Sequence, residues 1–129
     1  MSILIIDALA ANEGRRRFSR DAIGVGPRLL AGICLKNKID SQIARVEDII
    51  EGKMDSQIYD FNTVLISAMS VDKIAVERVL RKIRKGNAES FILLGGPILS
   101  EPEFLFTNKI DIGIVGEGEW ILNDLINTD

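Results

Sequence analysis

Four short apolar runs punctuate the chain: Ile3-Leu4-Ile5-Ile6, Val64-Leu65-Ile66, Phe91-Ile92-Leu93-Leu94 and Ile110–Val115. They lack the strict polar alternation of a half-solvated strand and predict strands covered on both faces, as in a parallel sheet. A fifth run, Gln42-Ile43-Ala44-Arg45-Val46, mixes polar and apolar positions and predicts an edge strand.

Between the strands the apolar period lengthens to that of a helix. Pro27 suits a first turn, where its missing donor costs nothing. Leu29, Leu30, Ile33 and Cys34 follow as the predicted inward face. A second helix is predicted after Ser70 as N-cap, with Val76, Val79, Leu80 and Ile83 inward and Lys73, Glu77 and Arg81 outward. Gly86 is its natural stop. A last helix is predicted from Glu117 to about Asn127, with Ile121, Leu122, Leu125 and Ile126 as its expected inward face.

Five strands alternating with helices predict an α/β fold: a flavodoxin-like (Rossmann-like), doubly wound five-stranded parallel sheet of order 2-1-3-4-5. In such sheets ligands bind beyond the carboxyl ends of the strands. The 129 residues suffice for one domain, 1–129. One connection is too long for the pattern: about 18 residues, Leu9 to Gly26, where two to six are usual. Its place on the ligand edge predicts a functional loop. It carries Arg15, Arg16, Arg17 and Arg20, which read either as a solvated surface or as a contact for a phosphate or an acidic partner.

Composition narrows the chemistry. There is no histidine, which removes Ser-His-Asp and Cys-His nucleophile systems and histidine-based metal sites. A single cysteine, Cys34, excludes an internal disulfide and reads as a small core residue in a reducing compartment. The net charge of −3 gives no reason to expect nucleic-acid binding. No apolar run reaches membrane-spanning length, and the chain enters its first strand without a signal-peptide pattern, so no membrane association and a cytoplasmic location are expected.

The strand ends test the usual occupants of this fold. A phospho-accepting receiver needs an acidic pair after the first strand and an aspartate ending the third; the chain has only Asp7 there, and Ser67-Ala68-Met69-Ser70 at the third. No Walker phosphate loop occurs, and Gly24-Val25-Gly26-Pro27-Arg28-Leu29 lacks both the third glycine and a preceding strand of a dinucleotide fingerprint. A flavin would want a Ser/Thr-rich loop after the first strand and stacking aromatics, yet aromatics make up only 5% of the chain, and Tyr59 and Trp120 fall elsewhere.

Three successive strand ends, Ser67-Ala68-Met69-Ser70, Gly95-Gly96-Pro97 and Asp111-x-x-x-Val115-Gly116-Glu117-Gly118-Glu119, together with Arg17–Leu29, resemble the cobalamin-binding domain found N-terminal to radical S-adenosylmethionine enzymes. The resemblance covers nearly the whole chain. It implies a corrinoid cofactor and a radical S-adenosylmethionine domain or subunit as partner, with no turnover by this chain alone. By the same resemblance Ser67 would face the base or phosphate of the cofactor's nucleotide tail, with Ala68 and Met69 among the cofactor-binding residues beside it; Gly95 and Gly96 would let the tail pass close to the backbone, and Pro97 would stiffen the turn. Gly116 and Glu117 would line the remaining side, and Asp7 would border the site. The chain departs from the wider cobalamin pattern in lacking the Asp-x-His-x-x-Gly motif, so no histidine is available as lower cobalt ligand, and the three-cysteine cluster motif is also absent.

Structural readings stand beside these. Gly95-Gly96-Pro97 also reads as a tight turn, Ser67 as a helix cap, Gly116–Glu119 as a turn with carboxylates at a helix N-terminus, and Asp7 as an acceptor for loop amides. The alternatives to a corrinoid domain are a ligand-free interaction or regulatory module, and a nucleotide- or flavin-binding domain.

Overall fold

A computed structural model describes residues 2–9, 11, 25–100 and 110–114. Strands β1 (Ser2–Asp7), β2 (Asp40–Arg45), β3 (Thr63–Ser67), β4 (Phe91–Gly95) and β5 (Ile112–Ile114) form one sheet. All four pairings are parallel and the order is β2-β1-β3-β4-β5. The expected fold and order are therefore the observed ones, and the mixed strand β2 lies at an edge.

The apolar runs are explained by two covered faces. Leu4 and Ile6 of β1, Val64 and Ile66 of β3, and Ile92 and Leu94 of β4 point to one side. There they meet Val46 and Ile49 of the short helix α2 (Val46–Ile50) and Val76, Val79, Leu80 and Ile83 of α3 (Lys73–Gly86). Ile3, Ile5, Leu65, Leu93 and Ile114 point to the other side, toward Cys34, Leu30 and Ile33 of α1 (Val25–Lys36). Each fully buried Ile or Leu contributes about 1.5–3 kcal/mol, so neither face could turn polar without loss of the sheet.

Local details differ from expectation in three places. Leu29 is half exposed, because α1 turns Leu30, Ile33 and Cys34 to the sheet and rolls Leu29 outward. Ser70 does not cap α3: a 3₁₀ turn, Ser70–Asp72, precedes the helix, and the Ser70 hydroxyl donates to the Pro97 carbonyl at 3.3 Å. Gly86 is the last residue inside α3 rather than the stop beyond it. α2 and the 3₁₀ turn Ile58–Asp60 carry too few residues for a period to show in sequence. The expected helix 117–127 and most of the connection 9–26, including Arg15, Arg16, Arg17 and Arg20, lie outside the described residues.

No helix among the described residues is long and apolar enough to cross a membrane.

Candidate functional site

The chain leaves β1 for β2 by way of α1 on one face, and leaves β3 for β4 by way of α3 on the other. The switch between β1 and β3 opens a crevice at their carboxyl ends. In register across that edge stand Asp7 beside Ser67, and Ser67 beside Gly95. The sheet thus brings three of the sequence-predicted residues into one row.

Asp7 is fully buried, and its Oδ1 accepts the Leu9 amide at 3.0 Å. The adjacent Ala8 amide donates to the Ser67 carbonyl at 2.9 Å, extending the β1–β3 pairing one residue past the strands. Asp7 is therefore a fastener of the loop start. Ser67 is half buried. A β-carbon built on Gly26, in the first turn of α1, would stand 4.0 Å from Ser67 Oγ, so the start of α1 overlooks the serine with only a hydrogen in between. The sequence already held the signal for Gly26 in the pairing of glycine with the helix-starting Pro27, but periodicity alone could not place it opposite Ser67.

Ala68 is buried, its amide donating to the Gly95 carbonyl at 3.1 Å and its carbonyl accepting the Ile98 amide at 3.2 Å. Met69 is exposed at the rim. Its amide donates to Oδ2 of the buried Asp72 at 2.8 Å, and its carbonyl accepts the Asp72 amide at 3.0 Å. This reciprocal pair holds the 3₁₀ turn, and Asp72 rather than Ser70 anchors the entry to α3. The signal for it is an aspartate three residues beyond the strand-end Met69, the spacing of a side chain that reaches back to an amide.

The two glycines of Gly95-Gly96-Pro97 have different reasons to be glycine. Gly96 has φ of +103°, and a β-carbon there would lie 2.4 Å from the Ala68 carbonyl oxygen. The fold itself demands Gly96. A β-carbon on Gly95 would meet the Ile114 carbonyl oxygen at 3.7 Å and the Ile114 β-carbon at 3.8 Å, ordinary packing distances. Among the described residues nothing in the fold requires glycine at 95 or at 26. Pro97 is exposed and opens the 3₁₀ turn Pro97–Ser100, which buries Ile98. Gly116 and Glu117 lie outside the described residues.

The site offers backbone, one hydroxyl and small side chains. Both of its buried carboxylates bond backbone amides, and among the described residues no group of three or more His, Cys, Asp or Glu could hold a metal ion.

No protein-family model matches the chain. It is similar to an uncharacterized protein of Methanocaldococcus jannaschii, 40% identical over 129 residues, which takes in 100% of this chain and 25% of that protein. It is also similar to an uncharacterized protein of Methanopyrus kandleri, 35% identical over 125 residues, 97% of this chain and 23% of that protein. The chain spans about a quarter of the length of the curated relatives it matches.

Proposed function

We propose that this domain binds a corrinoid at the carboxyl ends of β1, β3 and β4, as the cofactor-carrying part of a radical S-adenosylmethionine system. The observation that carries a ligand at this edge is Ser67, overlooked by Gly26 from the start of α1 and in register with Gly95 on the next strand. Small residues stand at the topological switch point, and two of them are glycines that the described fold does not need. The corrinoid itself is supported by the resemblance of the strand-end motifs.

The Ser67 hydroxyl is the group that would hold such a cofactor, with Ala68 and Gly95 letting it approach the backbone closely, Met69 and Pro97 at the rim and Asp7 fixing the loop beside it. The cofactor would supply the methyl-carrying chemistry. This chain has no histidine with which to ligate cobalt, so its part is to position and shield. A radical S-adenosylmethionine domain or separate subunit would activate the substrate, in a cytoplasm that keeps Cys34 reduced.

Titration of the purified domain with hydroxocobalamin and methylcobalamin, followed by visible absorption and calorimetry, tests this. Saturable binding weakened at least about tenfold by Gly95→Val or Ser67→Leu is expected, with both variants folded. A folded domain that binds neither corrinoid overturns the proposal. Saturable binding of flavin mononucleotide or a nucleotide in their place would assign the same edge to that ligand.

A further inference from the structure

The outward face of α1 does not have the composition of a solvated helix face. Leu30, Ile33 and Cys34 turn to the sheet, while Arg28, Leu29, Gly32, Leu35 and Lys36 are exposed. The exposed set recurs at i, i+1, i+4, i+7 and i+8, the spacing of one helix stripe about 12 Å long. Leu29 is 50% exposed and Leu35 80%, the most open large apolar side chain among the described residues.

Gly32 sits between the two leucines, in the interior of the helix, where glycine is a poor helix former. A β-carbon built on it meets nothing within 4 Å, and its φ is not in the left-handed region. Among the described residues neither crowding nor backbone conformation calls for glycine there. What glycine leaves is a notch in the helix surface, flanked by leucines, where the axis of a second helix can come close. The charges complete the pattern. Arg28 stands at one end of the stripe and Lys36 at the other, and α1 carries no acidic residue. Neither cation belongs to an ion pair among the described residues.

We propose that this face of α1 docks an acidic amphipathic helix of a partner protein. That helix crosses α1 at Gly32, with apolar side chains against Leu29 and Leu35 and carboxylates against Arg28 and Lys36. Charge complementarity selects this occupant. A second copy crossing at Gly32 would bring cation against cation, whether the two helices ran parallel or antiparallel. A nucleic-acid backbone would match the cations but leave Leu29 and Leu35 in water, and the rest of a chain of net charge −3 would repel it. None of Arg28, Leu29, Gly32, Leu35 and Lys36 is among the residues proposed to hold the corrinoid, so the surface stands without that proposal.

The test is fluorescence anisotropy with a labelled synthetic helix of about 18 residues, bearing leucine and alanine on one face and glutamate on both flanks. The comparison ligands are the same peptide with Gln for every Glu, the same peptide with Lys for every Glu, a single-stranded RNA, and vesicles of phosphatidylglycerol and phosphatidylcholine. Saturable, salt-sensitive binding of the acidic peptide is expected. Leu35→Ser should weaken it about tenfold or more, and so should Arg28→Glu with Lys36→Glu. The charge-reversed domain should bind the lysine peptide instead. Gly32→Ala separates the needs of the helix from those of the interface: urea denaturation should show a more stable domain, while the peptide binds severalfold more weakly. Arg81→Glu on α3, on the opposite face of the sheet, should leave binding unchanged. Circular dichroism confirms that each variant is folded. The proposal is overturned if the acidic peptide does not bind, if the glutamine peptide binds as well, if RNA or vesicles bind more tightly, or if binding survives the double charge reversal or Gly32→Ala.

Discussion

A β-carbon on Gly96 would stand 2.4 Å from the carbonyl oxygen of Ala68, a backbone atom held in place by the Ile98 amide. No rotamer change can relieve that contact, and the φ of +103° is itself costly for any other residue. Gly96→Ala should therefore destabilise the domain by about 3 kcal/mol with or without ligand. Gly95→Ala, whose added carbon finds 3.7 Å of room, should cost less than about 1 kcal/mol. Urea denaturation of the two variants checks this, and equal losses would refute the distinction. The practical consequence is that a side chain at 95, not at 96, is the clean probe of the proposed ligand edge.

Gly86 offers a contrasting case. A β-carbon there would fall 1.9 Å from Tyr59 Cε1, but that ring is 38% exposed and can swing into solvent. Gly86→Ala should cost about 1 kcal/mol in the wild-type background. In a Tyr59→Ala background the sign should reverse, to a gain of up to about 1 kcal/mol from the better helix former. A thermodynamic cycle over the four proteins decides, and additivity of the two changes would show that the residues do not meet.

Arg84 and Asp111 tie the end of α3 to the entry of β5. Asp111 Oδ2 accepts the Ile92 amide at 2.7 Å and Arg84 Nη2 at 3.1 Å, while Arg84 also donates to the carbonyls of Ala88 and Ser90. Removing the carboxylate leaves the Ile92 amide without that acceptor, so Asp111→Ala should cost about 2 kcal/mol. The Arg84–Asp111 coupling itself should be under about 1 kcal/mol, because Asp111 is partly open to solvent. Hydrogen exchange at Ile92, faster in the variant, is the local readout; unchanged exchange there would argue against the link.

Burial pushes the Cys34 thiol above its ordinary pKa of 9.0, against a smaller downward pull from a hydrogen bond with Ser41. The folded state thus holds this proton more tightly than the unfolded chain does. The resulting stability is complete below the unfolded thiol's pKa and is lost as pH rises through the folded one. Stability should fall above about pH 9 more steeply in the wild type than in Cys34→Ala. Iodoacetamide at pH 8 should label Cys34 at least about 100-fold faster in denaturant than in the native protein. Comparable rates would mean that the thiol is accessible.

The sequence by itself determined the architecture. A strand buried on both faces must be apolar at consecutive positions, so Ile3–Ile6, Val64–Ile66 and Phe91–Leu94 announced a covered parallel sheet, and the mixed Gln42–Val46 announced its edge. Strands alternating with helices, in a chain of this length, then led to the observed order. These are short-range patterns, readable one segment at a time. It also pointed to the strand ends where Asp7, Ser67 and Gly95 stand in register.

Only the tertiary structure decided why individual residues are there. Gly95 and Gly96 look alike in sequence, yet Ala68 forces one and nothing described forces the other. Asp72 rather than Ser70 holds the entry to α3, because the Ser70 hydroxyl is drawn to Pro97 across the strand ends. Arg84 finds Asp111 27 residues away, and Gly86 is hemmed in by Tyr59 from before β3. Each of these depends on how separate segments are brought side by side, a register set by the whole core and absent from any local period.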